Sequence, residues 1–327
     1  HGLDLLGNRH RVIEDRLDVL YRELAGSTLP YAGRFHPIAA RWRALIGDHV
    51  RALADEVEQL QEIDSPYIAG PPLTEQQDTF TGRTNASQRI EQLVRDRRSP
   101  PLLLYGQRRM GKTSLLRNLG RLLPSTIVPM FVDLQGPPAN ASDHAGLLFN
   151  LSRAMADSAL RYRQISLLSL TREVLAPDPF TIFDQWLEDV ERVLGRHAAS
   201  GRTALLMLDE FEALEKPFSD GRFDAVQVLG MLRNLIQHRP RFRVLLAGTH
   251  TLGEYTRWAS YLINVQIVHL SYLGEQETRD LIEQPMTDFA LRYEPAAVDR
   301  IIALTRGHPY LAQLLCSEIV ALKNQQD

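Results

Sequence analysis

The stretch Gly106–Thr113 reads Gly-Gln-Arg-Arg-Met-Gly-Lys-Thr, and the fold of the surrounding chain can be worked out from it. It fits the pattern G-x-x-x-x-G-K-[ST] without a mismatch, between an apolar run at 101–105 and an amphipathic segment at 112–122. Glycines let consecutive backbone N–H groups curl around an anion, and the N-terminus of the following helix adds its positive dipole end. This context favours a phosphate-binding loop over a glycine turn that carries an accidental lysine.

A pair of carboxylates, Asp209 and Glu210, follows the continuously apolar run 204–208. Such a run is typical of a buried parallel strand, which delivers the pair to the same sheet edge as the phosphate loop. We expect Asp209 to hold Mg²⁺ together with the Thr113 hydroxyl, and Glu210 to orient and deprotonate an attacking water. Capping of the next helix is the alternative interpretation of the pair.

A polar residue, Thr249, stands at the end of the apolar run 243–248. In nucleotide hydrolases with a strand inserted between the two motif strands, this tip senses the γ-phosphate. Thr249 is therefore the predicted sensor, with simple capping of the strand end as the alternative.

Strand and helix patterns alternate through the middle of the chain. Strands are predicted over 101–105, 127–134, 204–208, 243–248 and 263–270. Helices are predicted over about 88–98, 112–122, 143–197 (with breaks at Pro177 and Pro179) and 222–238. This alternation predicts an α/β fold, with a parallel P-loop sheet sandwiched by helices and joined by right-handed crossovers. From Gly274 the pattern is only helical, over about 275–284, 294–305 and 309–323, which predicts an all-α lid.

Two apolar stripes occupy the first 64 residues, at 3–24 (with His10 inside it) and at 42–60, and the segment 26–33 separates them. They predict a helical hairpin whose stripes pack on each other or on the next domain. A self-association or signal-transmitting stalk is the alternative. The proline-rich segment 65–79 predicts a stiff linker.

The predicted domain organisation follows from these patterns. It comprises a helical hairpin or stalk at 1–64, a linker at 65–79, a P-loop ATPase α/β domain at 80–271, and a helical lid at 272–327.

The composition is that of a globular protein, with 44% apolar and 24% charged residues, and the net charge of −3 provides no basic field for nucleic acid. One cysteine, Cys316, excludes a disulfide framework and a thiolate zinc site. The basic cluster at 233–243 is interpreted as a solvated face. No apolar run approaches the ~20 residues of a membrane span. The chain begins at His1 and is expected to be a piece of a longer protein, which is cytoplasmic or tethered to a membrane elsewhere.

Three motifs together resemble the STAND ATPases, and more narrowly the branch of archaeal-type ATPases within the AAA+ class. They are Gly106–Leu116, Leu208–Glu212 and Thr305–Leu311. The resemblance covers roughly residues 79–322. It implies that the segment Phe80-Thr81-Gly82-Arg83 contacts the base, although Thr84 replaces the usual acidic residue. It also places the lid proline Pro309, in a Gly-x-Pro motif, near the adenine.

The predicted nucleotide-binding residues are Gly106, Gln107, Arg108, Arg109, Met110, Gly111, Lys112, Thr113, Ser114, Phe80, Gly82, Arg83 and Pro309. The predicted catalytic residues are Glu210, Lys112 and Thr249, and the predicted Mg²⁺ ligands are Thr113 and Asp209. Arg108 and Arg109 are expected to pack the loop more than to act in catalysis. Candidates for an arginine finger that acts on a neighbouring subunit are Arg257, Arg153, Arg222 and Arg239.

The resulting functional hypothesis is an ATP-binding and slowly hydrolysing signalling switch, with ATP/ADP and Mg²⁺ as cofactors. ATP would close the lid and drive self-association, while sensor and effector regions would lie outside this chain. A DNA-associated loader or remodeller resembling origin-recognition ATPases is the alternative, although nucleic acid is not the expected partner. A nucleotide-binding scaffold without turnover is a third possibility, against which Glu210 argues.

Overall fold

The computed structural model describes residues 2–326 apart from 28, 30, 60–62, 76, 78, 97, 99, 197–200 and 251–255. The side chains of 1–11, 53–59, 256 and 326 also fall outside the description. The stripe residues that are therefore not covered are Leu3, Leu6, His10, Leu53, Val57 and Leu60. The chain divides into two compact units, one of residues 1–65 with 318–327 and one of residues 66–317.

The second unit contains a sheet of five parallel strands in the order β2-β3-β4-β1-β5. The strands are β1 (Leu102–Tyr105), β2 (Ile127–Asp133), β3 (Thr203–Asp209), β4 (Phe242–Gly248) and β5 (Gln266–His269). Strand β4 is thus inserted between β1, which leads into the phosphate loop, and β3, which ends in Asp209. The predicted α/β fold, a parallel P-loop sheet flanked by helices, is confirmed.

Fourteen helices accompany the sheet in the described part of the chain. They are α1 (Gly2–Gly26), α2 (Ala32–Gln59), α3 (Thr84–Val94), α4 (Lys112–Leu122), α5 (Pro137–Asn140), α6 (His144–Arg163), α7 (Arg172–Leu175), α8 (Pro179–Arg196), α9 (Glu215–Ser219), α10 (Ala225–His238), α11 (Thr256–Tyr261), α12 (Glu275–Glu283), α13 (Pro295–Thr305) and α14 (Pro309–Gln326). Within these described ranges, no helix combines the length and the hydrophobicity that crossing a lipid bilayer needs.

Strand β3 shows why the sheet strands read as continuous apolar runs. Leu206 and Leu208 belong to the core on one face, with residues of α6, α8 and α10, whereas Leu205 and Met207 belong to the core on the other face, with residues of α3 and α4. All four side chains are at most 1% exposed. Because side chains alternate along a strand, burial on both faces requires an apolar residue at every position.

Several helix boundaries differ from the sequence prediction. Helix α3 begins at Thr84 rather than at about 88, directly after Arg83, whose left-handed backbone (φ 66°) ends the preceding loop. Within the predicted stretch 143–197 the break expected at Pro177 and Pro179 is present, since α7 ends at Leu175 and α8 begins at Pro179, whereas the end of α6, where Gln164 adopts a left-handed conformation, was not predicted. Proline is favoured at the first position of α8, since its missing N–H has no helical acceptor there.

The helices α1 and α2 form an antiparallel pair in the first unit, and α2 begins ten residues before its apolar stripe. The Tyr21 ring stacks on His36 at 4.4 Å between ring centroids. Leu17 and Ala39 are buried, whereas Ile13 is 45% exposed and Trp42 is 60% exposed. The stripes are therefore only partly covered by each other.

Candidate active site

The loop between β1 and α4 wraps around its own lysine. Gly111 is the N-cap of α4 with φ +84°, a left-handed conformation that glycine adopts without steric cost. The Lys112 side chain is 5% exposed, and its Nζ donates to the carbonyl oxygens of Gly106 at 2.8 Å and Gln107 at 3.2 Å. Burial lowers the pKa of Lys112, while the Glu210 and Asp209 carboxylates oppose that shift. The loop thus holds a cation at the N-terminus of a helix, where phosphate groups bind.

Asp209 is buried at the carboxyl end of β3, beside the first turn of α4. Its side chain is 1% exposed and hydrogen-bonds to Thr113. Burial raises the pKa of Asp209 to about 6, and the charge of Asp133, its partner in register on β2, adds to this shift. Oxygen donors with excess negative charge are what Mg²⁺ prefers. The two predicted metal ligands, Asp209 and Thr113, therefore lie together, and their oxygen atoms fit this ion.

Glu210 is held in a left-handed backbone conformation (φ 50°, ψ 51°), which is unusual for a residue with a side chain. Such conformations cost on the order of 1–3 kcal/mol and gather at functional sites. Burial raises the pKa of Glu210, and the charges of Glu212 and Asp209 raise it further. A half-buried carboxyl group with a raised pKa is suited to accept a proton from water.

The sequence analysis missed a third carboxylate, Glu212, which contacts the predicted sensor. Glu212 Oε1 accepts hydrogen bonds from the backbone N–H and from the hydroxyl of Thr249, both at 2.9 Å. The only signal for it is that Glu212 is a third acidic residue in Leu208–Glu212, two positions after Glu210. The structure therefore brings Thr249, at the end of β4, to the Glu212 carboxylate, which follows β3.

A cavity of about 520 Å³ opens over the phosphate loop. Its lining includes nine of the predicted nucleotide-binding residues other than the glycines: Arg108, Arg109, Met110, Lys112, Thr113, Ser114, Phe80, Arg83 and Pro309. Gly111 and Glu210 also line it, whereas Gly106, Gln107, Gly82, Asp209 and Thr249 do not. The wall also contains Tyr310 and Gln313 of α14, which the sequence analysis did not select.

Arg83 connects the phosphate loop to the segment that contains Ser271 and Glu277. Its guanidinium donates to the carbonyl oxygens of Ser271 at 2.6 Å and Met110 at 2.8 Å, and its backbone N–H donates to the Glu277 side chain at 2.8 Å. The Arg83 side chain is 8% exposed, and burial lowers its pKa. Its donors are thus directed at the protein, while its side chain still forms part of the cavity wall.

The structure also shows the surroundings of Arg109 and of the four candidates for an arginine finger. Arg109 lies with its guanidinium 4.1 Å from the centroid of the Tyr310 ring, a cation–π contact between the phosphate loop and α14. The four finger candidates all have partners within the chain. Arg153 and Arg257 pair with Asp157 and Glu215, Arg222 donates to the carbonyls of Ala139 and Ala141, and Arg239 pairs with Asp184 and Glu191.

A segment that the sequence analysis treated as linker also borders the cavity. We call residues 67–73 the strap. Its first part hydrogen-bonds to α12 and α14: the Tyr67 hydroxyl donates to the Ile282 carbonyl at 2.6 Å, and the Ile68 N–H donates to Gln313 at 2.9 Å. Its last residue, Leu73, donates its N–H to Ser114 Oγ at 3.0 Å. The strap thus connects α12 and α14 to α4, the helix that follows the phosphate loop.

Residues 95–255 match the family model of an AAA domain. This range contains the phosphate loop, the Asp209-Glu210 pair and Thr249. This part of the chain is therefore an AAA-type P-loop ATPase domain. No curated protein sequence is detectably similar to the chain.

Several solved structures are similar to this chain at low sequence identity. The Walker-type ATPase PABY2304 of Pyrococcus abyssi has a TM-score of 0.56 at 17% identity, over 78% of this chain and 71% of that one. The ORC1 protein of Aeropyrum pernix, solved in complex with DNA, has a TM-score of 0.46 at 16% identity, over 79% of this chain and 62% of that one. The Aeropyrum pernix ORC2 protein, in ADPNP–ADP complexes, has a TM-score of 0.45 at 19% identity, over 76% and 62%. The chain thus spans less than two thirds of the two Aeropyrum proteins.

Proposed function

We propose that this chain binds ATP with Mg²⁺, hydrolyses it slowly, and uses the nucleotide state to control lid closure and self-association. The observation that carries the proposal is the meeting of Lys112 with Asp209 and Glu210 at one edge of the sheet. A cation in a phosphate loop can stabilise the charge of the transferred phosphoryl group, and a carboxyl group with a raised pKa beside it can orient and activate the attacking water.

Each residue of this edge has a definite task in the proposed reaction. Lys112 exchanges its two carbonyl acceptors in the loop for β- and γ-phosphate oxygens and neutralises their charge. Thr113 and Asp209 would hold Mg²⁺, which supplies charge stabilisation to the phosphates when it is bound. Glu210 orients the attacking water and takes its proton. Thr249, at the tip of β4, is proposed to report on the γ-phosphate.

The contacts around the cavity support coupling between nucleotide and lid. Arg83, the strap and the Arg109–Tyr310 contact each join the phosphate-loop side to the lid side. A nucleotide in this cavity would contact both sides, and would therefore favour one lid position over others. To move the population from mostly open to mostly closed, ATP must favour the closed form by about 3–5 kcal/mol.

The proposal is tested with the Glu210→Gln variant, which is expected to bind ATP without consuming it. Light scattering during size-exclusion chromatography should show a larger species with ATP and Mg²⁺ than with ADP and Mg²⁺. The same mass in both states would contradict the switch while leaving ATP binding intact. Fluorescence anisotropy with duplex DNA, in both nucleotide states, examines the loader alternative: nucleotide-dependent binding would favour that alternative, and its absence the switch.

A further inference from the structure

Glu212 makes a contact that the proposed reaction leaves unexplained. Its side chain is 15% exposed, and Oε1 takes both donors of Thr249, the backbone N–H and the hydroxyl, each at 2.9 Å. Thr249 Oγ1 also lies 3.0 Å from His250 Nδ1. A hydroxyl that donates to a carboxylate still accepts, so an Nδ1–H of His250 can complete this chain of hydrogen bonds.

The other carboxylate oxygen of Glu212, Oε2, has a different environment. It is buried and has no hydrogen-bond donor among the residues that the structure describes. Buried carboxylate oxygens are costly without a partner. Glu212 therefore carries this cost while Oε1 holds Thr249.

The backbone at the end of β4 is shaped to admit this carboxylate. A Cβ atom at Gly248 would overlap the Glu212 carboxylate and the Phe211 ring. The side chain of Glu212 therefore packs against the backbone of Gly248, the residue directly before Thr249. Glycine at this position is explained by the close approach of Glu212.

We propose that Glu212 is a positioning residue, which fixes the tip of β4 to the turn that follows Glu210 and so holds Thr249 and Glu210 in place for hydrolysis. The inference rests on the proposed ATPase function for its catalytic part. Glu212 touches neither phosphate nor water in this account; it acts through Thr249 and Glu210. A loss of Glu212 should therefore slow turnover much more than it weakens ATP binding.

The test compares two substitutions of similar size. Glu212→Leu removes both oxygens, and we expect it to lower kcat by about tenfold or more while the Kd for ATP changes by less than about twofold. Glu212→Gln keeps an oxygen for Thr249 and places an amide donor near Glu210, so its kcat should stay within about threefold of wild type. Equal losses in the two variants, or a loss of ATP affinity as large as the loss of kcat, would overturn the proposal.

Two further variants separate positioning from a general packing defect. Gly248→Ala pushes the carboxylate away without altering it, and should reproduce the kcat loss of Glu212→Leu. Combining Glu212→Leu with Thr249→Val should lower kcat by less than the product of the single effects, because both act through one contact. Strict additivity, or a Gly248→Ala variant that folds and turns over ATP normally, would contradict the inference.

We call the hydrogen bond from the Thr249 N–H to Glu212 the anchor. Hydrogen exchange of the Thr249 amide measures it without nucleotide. The exchange rate should increase in Glu212→Leu, because the acceptor of that N–H is gone, and should stay close to wild type in Glu212→Gln. An unchanged exchange rate in Glu212→Leu would overturn the anchor, whether or not the chain binds or hydrolyses ATP. A wild-type chain that binds no ATP would overturn the proposed function and the catalytic part of this inference, while the exchange rate still decides the anchor.

Discussion

The two ends of the parallel sheet both border a cavity, but their charges are arranged in opposite ways. The cavity at the amino ends of β1, β4 and β5 has a volume of about 1210 Å³, whereas the one over the phosphate loop, at the carboxyl ends, has about 520 Å³. If volume alone marked a ligand site, the amino end would be the stronger candidate.

Arginines at the amino end are largely neutralised by the protein itself. Arg239 is 8% exposed and pairs with Asp184 at 2.7 Å and with Glu191 at 3.3 Å. Arg98 pairs with Asp96 at 2.9 Å. These cations have carboxylate partners within the fold, and they need no ligand to balance their charge.

At the carboxyl end the charges are buried without being balanced. Burial raises the pKa of Asp209 and of Glu210 and lowers that of Lys112, so each group is shifted toward its neutral form. Shifts of this kind gather at sites whose charge is completed by a ligand or metal. The candidate active site is therefore distinguished by burial of ionisable groups whose charge is not fully balanced, rather than by the volume of its cavity.

The largest effect that would sharpen this comparison is expected from Glu210→Gln. The amide keeps the size of the side chain but cannot accept the proton of water, so hydrolysis should fall by about 10²-fold or more while ATP still binds. The measurement is single-turnover hydrolysis together with calorimetric titration. Glu188→Gln, at the amino end, is the matched control and should keep wild-type turnover. Normal hydrolysis by Glu210→Gln would assign the water-activating role to another residue.

Lys112→Ala should have the next largest effect. It removes the cation of the phosphate loop and should weaken ATP binding by about tenfold or more, which is roughly 1.4 kcal/mol. Titration calorimetry with ATP and Mg²⁺ measures this change, and Lys216→Ala, an exposed lysine of α9, serves as the control. Unchanged affinity in Lys112→Ala would remove the basis for placing phosphates at the carboxyl end.

Most of the fold at this end could be predicted from the sequence, because each element leaves a local pattern. The run 204–208 is apolar at every position since both faces of β3 are covered, and the glycines of the phosphate loop mark its turn. Helix α4 was predicted at its observed bounds for the same reason. The boundaries of α3 and α6 were less predictable, because left-handed residues such as Arg83 and Gln164 end loops and helices without a distinctive residue type.

The parts of the site that were missed depend on contacts between distant segments. The strap has no periodicity, and its hydrogen bonds to Gln313 and Ser114 join residues far apart in the chain. Glu212 reads as one more surface carboxylate until β4 is placed beside β3 and Thr249 comes within 2.9 Å of it. Local sequence patterns carry no information about such pairs.

Arg239→Met tests the other side of the comparison, with a smaller expected effect. The methionine fills similar space but leaves Asp184 and Glu191 without their cation, which should destabilise the fold by about 1–3 kcal/mol. At about 2–4 °C per kcal/mol for a domain of this size, the melting temperature should fall measurably in calorimetry. ATP affinity should not change. A tenfold loss of affinity in folded protein would mean that the amino-end charges serve the nucleotide after all.

The smallest effect is expected from Arg233→Ala, and it is the variant that can break the comparison outright. Arg233 lines the larger cavity and forms no ion pair among the described residues, so it is the amino-end arginine best suited to receive an anionic ligand. If the cavity binds nothing, the substitution alters only a half-buried side chain, and stability should change by no more than about 0.5 kcal/mol. Urea unfolding measures the stability, and anisotropy with labelled duplex DNA and titration with ATP measure the two anionic ligands. Equal results for wild type and variant in all three are expected. If wild type binds DNA and Arg233→Ala loses that binding, the amino end is a second ligand site. The ion pairs with Asp96, Asp184 and Glu191 would then not prevent the arginines of this end from binding a ligand.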